Sequence, residues 1–439
     1  MTSKIAIVGS GFLGLTLALR LAQQGNAVTI FESAEEIGGL ASAWQIGDTT
    51  WDKHYHVTLL SDSYTRKIVG ELGLEDEFEW VETRTGFYTD GKLVSMSNTM
   101  EFLKFPPLGL LSKLRLGGTI FFASRVKNWK KLEKISVEDW LTRLSGKRTF
   151  EKMWKPLLKA KLGEAYKETS AAFIWATIQR MYAARNSGLK KEMFGYVRGG
   201  YATVLKRFAV VLESNGVVVK LNSPVLAVER PMNKEELSVT FSKRGDVKET
   251  KIEIFDKVII TTPSNIAESI CPQLTESEKQ KLNKIKYQGI VCASLLTKHS
   301  LSPYYVTNIT DKTPFTGIIE MSALVDKNEF GENALIYLPK YITPNDDLFE
   351  KSEAEIKEIF LSALEGMYTH FSRDDVKDFK VSRVRQVFPL PTLNYSEAVP
   401  SVETSIPNMF ILNSAQITNG TLNVNETIRC AEEFIKEWF

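Results

Sequence analysis

A strand, a glycine turn, a helix and a second strand fill the first 32 residues, and that order leaves few folds open. Lys4-Ile5-Ala6-Ile7-Val8 is a short apolar run suited to a strand buried on both faces. It enters Gly9-Ser10-Gly11-Phe12-Leu13-Gly14, after which Leu15 to Gln24 places Leu17, Ala18 and Leu21 on one side of a helix. Gly25-Asn26 ends that helix, and Ala27-Val28-Thr29-Ile30-Phe31 is a second buried strand closing on Glu32. Gly9 permits the tight turn, Gly11 lets a pyrophosphate approach the backbone, and Gly14 lets helix and strand pack closely. The helix start at Phe12 and Leu13 offers free N–H groups and a positive dipole end to the phosphates. Glu32, about 20 residues on, is placed to accept hydrogen bonds from an adenosine ribose. With the strand before, the helix after and the carboxylate at its distance, the pattern predicts a dinucleotide site; a glycine-rich turn without a ligand is the alternative.

The residues after Glu32 choose the dinucleotide. Glu32-Ser33-Ala34-Glu35-Glu36-Ile37-Gly38-Gly39-Leu40-Ala41-Ser42 resembles the extended motif of the amine oxidase, phytoene desaturase and protoporphyrinogen oxidase superfamily. There the second glycine pair lies beside the cofactor phosphates and the cofactor is FAD. Glu32 also opposes a bound 2′-phosphate by charge repulsion. The resemblance continues at Phe194 to Leu205, a glycine pair followed by a helix, and at Ser223 to Glu229, where the residue matching Val225 touches the adenine through its backbone. Asp256 to Pro263 is similar to the strand returning to the cofactor domain, which brings in Thr262 and Pro263. Asn408 to Ser414 matches the last FAD strand, and Glu426 to Phe439 the closing helix. Many relatives carry Gly-Asp where this chain has Asn413-Ser414; both residues still donate and accept hydrogen bonds. Asn419-Gly420-Thr421, with Leu422 and Asn423 behind it, could bring backbone N–H groups to the flavin edge.

The fold class expected is α/β: a Rossmann-type FAD-binding domain, discontinuous in the chain, with an α+β substrate domain inserted. The cofactor domain is assigned to 1–60, 195–285 and 385–439, and the substrate domain to 61–194 and 286–384. The first insert reads mostly helical, at Tyr64–Leu72, Val137–Leu144, Phe150–Leu162 and Ser170–Ala184. The second reads as strands at Ile290–Leu296, Phe315–Met321 and Ala334–Leu338, covered by a helix over Lys351–His370. A net charge of only +2 gives no global field for nucleic acid. Cys271, Cys292 and Cys430 lack a C-x-x-C pair, which fits a reducing compartment without a metal or disulfide framework. Met1-Thr2-Ser3-Lys4 runs straight into the first strand and leaves no room for a signal peptide, so the expected location is cytoplasmic.

Trp51-Asp52-Lys53-His54-Tyr55-His56 follows the second glycine pair at the spacing where relatives line the flavin ring. Two of the four histidines fall here at i and i+2, on one face if the segment is a strand. His56 is the candidate to contact flavin or substrate, with Tyr55 and His54 in support; the alternative is an ordinary polar loop over the cofactor. A metal is excluded because no third ligand lies nearby. The amine oxidase branch usually keeps a lysine that holds water near the flavin nitrogen. Tyr287-Gln288-Gly289-Ile290 stands there instead, and Lys286 and Lys298 do not fit that context, which argues against an amine.

Aromatic residues elsewhere, including Trp154, Trp175, Tyr305, Tyr337 and Tyr341, fit an apolar pocket and a hydrophobic small-molecule substrate. Between Phe105 and Lys134, apolar residues alternate with Lys113, Arg115, Arg125, Lys127, Lys130, Lys131 and Lys134 against Glu133 alone, a pattern for peripheral contact with anionic lipid. Gly109, Gly117 and Gly118 are expected to break the helix there; a core helix pair with a solvated basic face is the alternative. The leading function is a flavin-dependent desaturase or oxidase taking hydride from an isoprenoid- or porphyrinogen-like substrate, with oxygen or a quinone reoxidising the flavin. The runner-up resembles UDP-galactopyranose mutase, with Arg180, Arg185, Arg383 and Arg385 as diphosphate ligands, and an amine oxidase stays a further alternative. A flavin that only staples the fold is a third reading. Nothing in the sequence sets the oligomeric state.

Overall fold

The computed structural model describes residues 2–185 and 193–439. Its cofactor half is a parallel sheet in the order Val218–Lys220, Ala27–Phe31, Lys4–Val8, Lys257–Ile260, Met409–Ile411. Because strand side chains alternate, the central strands serve two cores at once. Ile5, Ile7, Val28, Ile30, Ile259 and Phe410 pack on helices Phe12–Gln23, Gly200–Ser214 and Val424–Trp438. Ala6, Val8, Phe31, Val258, Ile260 and Ile411 face the antiparallel sheet Val225–Glu229, Leu237–Lys243, Asp246–Phe255. The glycine turn thus sits at the carboxyl end of the central strand, the usual ligand crevice of an open α/β sheet.

The other half is roofed by a sheet in the order Val376–Pro389, Tyr287–Thr297, Ala334–Ile342, Gly317–Glu320, Val306–Ile309, Thr85–Thr89, Lys92–Ser95. Its outer face buries Val291, Ala293 and Leu295 under helix Glu353–Met367, which opens with a Ser352/Glu355 capping box. The inner face, with Ile290, Cys292 and Tyr337, packs on Trp51 and Phe194. The first insert therefore supplies two roof strands as well as helices, and Phe78–Glu82 pairs with Met193–Val197. Roof strand Val376–Pro389 runs through residue 385 and stays paired to the end, Pro389 lying opposite Tyr287. The strand expected at Phe315–Met321 is Gly317–Glu320, followed by a 3-10 turn at Met321–Ala323.

One expectation fails outright. Helix Leu110–Ala123 passes unbroken through Gly117 and Gly118, and Gly109 is its N-cap. Each internal glycine costs about 1 kcal/mol. Burial of Leu116, Thr119 and Ala123, with Thr119 Oγ1 bonded to Ser145 Oγ at 2.9 Å, outweighs that cost. Among the described residues no helix is long and apolar enough to cross a membrane.

Candidate functional site

The two glycine turns stack on one another. Gly38 N–H donates to the Ser10 carbonyl at 2.9 Å, and a Cβ on Gly39 would lie 3.3 Å from Gly11 Cα. Gly9 has φ +107° and Gly38 φ +115°, a left-handed range that favours glycine. A Cβ on Gly14 would stand 2.1 Å from the Gly9 carbonyl oxygen, whereas one on Gly11 would meet no protein atom within 4 Å. Gly14 is thus demanded by the protein's own packing, and Gly11 keeps a space clear. That space faces the start of helix Phe12–Gln23, which no side chain caps. The Thr262 hydroxyl, at the end of the neighbouring strand, is buried without a partner. Open space and an uncapped helix start fit a pyrophosphate approached by Phe12 and Leu13; Thr262 follows the neighbouring strand, and Pro263 turns the chain away into helix Ser264–Ile270.

Glu32 ends its strand beside this turn. One carboxylate oxygen accepts from Ser10 N–H at 2.8 Å and Ser10 Oγ at 2.7 Å, the other from Ala34 N–H at 2.8 Å and Ser33 Oγ at 3.2 Å. A ribose must therefore share or displace the Ser10 and Ser33 hydroxyls. Ser223 N–H donates to the Glu32 carbonyl at 2.8 Å, which brings edge strand Val225–Glu229 alongside. Leu40 and buried Ala41 form the short 3-10 turn after the glycine pair.

The Asn413 side chain is turned into the protein. Its Nδ2 donates to the Thr262 carbonyl at 2.9 Å and its Oδ1 accepts from Ala415 N–H at 2.9 Å. Asn413 therefore locks the last strand to the Thr262 turn, and Ser414, near Tyr287, is left as the polar side chain of that pair. Asn423 caps the closing helix by accepting from Glu426 N–H at 3.0 Å, and Leu422 packs against the helical lobe.

The Trp51–His56 segment differs from its expectation. Strand Thr49–Asp52 ends before the histidines, so they leave a bend on divergent courses. His54 Nε2 lies 3.2 Å from Ser382 Oγ on the roof, and burial pushes its imidazole down to about 3, with His56 and Lys53 adding to the effect. His56 stands edge-on to Tyr201 with Nδ1 3.5 Å from buried Asp52. Asp52 itself accepts from Tyr201 N–H at 2.9 Å, capping helix Gly200–Ser214, while burial raises its carboxyl. Tyr55 Oη meets Tyr341 Oη at 2.8 Å.

Two further candidates emerge from the structure, Lys161 without a sequence signal and Gln288 from the stretch where the family's lysine is expected. Lys161, at the end of helix Lys155–Leu162, donates to Tyr341 Oη at 2.6 Å and lies 3.8 Å from that ring's centre. Gln288, fully buried on the inner roof, has both amide atoms unpaired and lies near Gly163. Tyr341 was marked by its aromatic character. Lys286 and Lys298 are elsewhere, pairing with Glu168 and Asp375 at the surface. Arg180 binds Asp62 at 2.8 Å, and Arg383 and Arg385 are exposed, bonded to the Lys351 carbonyl and to Glu350. The side chain of Arg185 lies outside the described residues.

Residues 14–421 match the family model of flavin containing amine oxidoreductases. A 15-cis-phytoene desaturase from Glycine max is 29% identical over 126 residues, 28% of this chain and 22% of the relative, so the match spans less than a quarter of that protein's length. An oxidoreductase from Methanosarcina mazei superposes with a TM-score of 0.76 at 15% identity, covering 99% of this chain and 100% of that one. A reduced UDP-galactopyranose mutase superposes at 0.73 and 14% identity, covering 99% and 96%, so the fold alone is shared with enzymes of different chemistry. With the family model spanning nearly the whole chain and the dinucleotide turns in place, the protein belongs to the flavin-containing amine oxidoreductase family and its cofactor is FAD.

Proposed function

We propose that this protein is an FAD-dependent desaturase or oxidase that takes hydride from an apolar, isoprenoid- or porphyrinogen-like substrate drawn from an anionic membrane surface. When bound, FAD would supply the hydride acceptor, with oxygen or a quinone as its oxidant. Among this chain's residues, Gly11, Phe12 and Leu13 anchor the pyrophosphate end. The inner roof, with Ile290, Tyr341 and Phe388, offers the substrate an apolar ceiling.

The observation that carries this reading is the outer face of helix Leu110–Ala123. Leu110, Leu111 and Leu114 are 67%, 72% and 63% exposed, and Phe121 and Phe122 are 50% and 51% exposed. With Gly117 and Gly118 between them, they form one apolar stripe along the helix. Arg125, Lys127, Lys130, Lys131 and Lys134 lie exposed beyond its end, so charge complementarity favours an anionic bilayer as the occupant. A cavity of about 650 Å³ lined by Arg125, Val126, Lys127, Trp175 and Gln179 opens at the same end. The mutase reading has less support, since Arg180 is paired with Asp62, Arg383 with the Lys351 carbonyl and Arg385 with Glu350.

The test pairs vesicle flotation with flavin spectroscopy. Holoprotein should float with phosphatidylglycerol-containing vesicles, and changing Phe121, Phe122, Lys130 and Lys131 together should weaken binding. The two cations alone account for roughly 30-fold, at about 1 kcal/mol each. Anaerobic addition of a membrane lipid extract should bleach the oxidised-flavin band. Equal flotation of both proteins would remove the membrane surface from the reading. A spectral shift by UDP-galactose only after dithionite, without bleaching by lipid, would replace the oxidoreductase with the mutase.

A further inference from the structure

We infer that Lys161 is the terminal proton acceptor for a substrate at the inner roof, reached through the Tyr341 hydroxyl, a role that rests on the hydride-transfer reading above. Forming a carbon–carbon double bond removes two hydrogens. One leaves as hydride, carrying its bonding pair to the flavin. The other leaves as a proton, and its C–H pair becomes the π bond. That proton needs a base, and the two imidazoles of the Trp51–His56 segment are committed elsewhere: His54 to the roof and His56 beside Asp52.

Lys161 meets the requirement by position. It comes from the helical lobe, Tyr341 from the roof and Tyr55 from the segment behind the second glycine turn. The three polar atoms form a chain, 2.6 Å from Lys161 Nζ to Tyr341 Oη and 2.8 Å on to Tyr55 Oη. A neutral amine accepts the Tyr341 hydroxyl proton as the Tyr341 oxygen takes the proton from substrate. The product is a lysine ammonium and an unchanged tyrosine, so atoms and charge balance. The groups facing Lys161 are Tyr341 and Phe388 on the roof, with Tyr55 beyond Tyr341 and Cys292 near both tyrosines. On its own lobe, Lys159 is paired with Glu164, so among the described residues no carboxylate neutralises Lys161. Burial pushes the Lys161 amine down to about 7, which leaves a large neutral fraction near neutrality. The Gln288 amide, beside Gly163 and two residues along from Lys161, is buried with both polar atoms unpartnered and is a second polar group at this corner.

Two measurements on the holoenzyme decide it. Competitive acetylation read by peptide mass spectrometry should give Lys161 a midpoint near 7, against about 10.4 for an ordinary lysine. Anaerobic flavin reduction by the bleaching lipid fraction should rise through the same pH in the wild type. In Lys161→Met it should lose that limb and slow by about 10²- to 10⁴-fold, and Tyr341→Phe, which keeps Lys161 in place, should also slow. Flavin content and thermal melting check both variants for folding. An ordinary labelling midpoint, or a Lys161→Met enzyme with wild-type rate and pH profile, overturns the proton acceptor. A wild type that no lipid fraction reduces, with Lys161 still labelling near 7, instead overturns the apolar-substrate reading.

Discussion

Replacing Gly11 and Gly14 by alanine separates cofactor binding from folding. At Gly11 the backbone is extended, φ −66° and ψ 173°, a conformation any residue adopts, and its new methyl would meet no protein atom within 4 Å. The apo fold should change by less than about 1 kcal/mol, in the stabilising direction, because alanine restricts the unfolded chain. The same methyl fills the space beside Phe12 and Leu13 where the pyrophosphate must approach. Displacing the phosphate by a methyl's radius lengthens two charge-assisted hydrogen bonds, each worth about 1.5–3 kcal/mol. FAD affinity should therefore fall at least about 100-fold. At Gly14 the methyl would stand 2.1 Å from the Gly9 oxygen and 3.1 Å from its carbon. Helix and turn must then separate by about 1 Å, an overpacking that costs about 1–3 kcal/mol with or without cofactor. Deflavinated protein titrated with FAD by fluorescence quenching, alongside urea melts of the apo form, measures both effects. A Gly11→Ala protein that binds FAD within threefold of wild type would refute the phosphate placement. Equal apo destabilisation by both variants would refute the steric distinction.

Glu320 and Asp52 test the buried charges. Glu320 is fully buried, and burial holds its carboxyl up to about 7 although Leu301 and Ser302 N–H donate to it at 3.1 Å. Its folded value lies above the unfolded value of about 4.3, so the folded state holds the extra proton between those limits and stability falls as pH rises through that window. Glu320→Gln should match wild type near pH 4 and exceed it by roughly 3 kcal/mol at pH 8 in urea melts; a difference that does not vary with pH contradicts this. Asp52→Ala removes the cap of helix Gly200–Ser214 and should cost about 2 kcal/mol, with Asp52→Asn recovering more than half. Unchanged unfolding midpoints in Asp52→Ala would show that the cap is dispensable.

The cofactor half was legible because its determinants are local. Gly9, Gly11 and Gly14 act on one another within a single turn, and Glu32 reaches Ser10 from the end of the next strand. The roof was harder to read because its pairings are distant. Thr85–Thr89 pairs with Val306–Ile309, and no short apolar run announces a partner two hundred residues away. Gly117 and Gly118 misled for a related reason, since intrinsic propensity spoke for a break while burial of the opposite helix face decided otherwise. Lys161 offered nothing to read. In sequence it is one of several lysines on a basic helix, and only the fold sets it against Tyr341.

The Trp51–His56 segment was singled out for its histidines, yet its neighbours do more of the joining. Asp52 reaches helix Gly200–Ser214 through its carboxylate and roof residue Tyr337 through its carbonyl. Tyr55 reaches the roof at Tyr341, and through Tyr341 the helical lobe at Lys161. Six consecutive residues thus connect the cofactor domain, the roof and the lobe, so a displacement of any one piece moves Tyr55 relative to the glycine turns. A rate lost on replacing His56 would therefore not by itself make His56 a reacting group. The same loss follows if Asp52 shifts, because the two side chains sit 3.5 Å apart at a junction that holds the Tyr55–Tyr341–Lys161 chain in place.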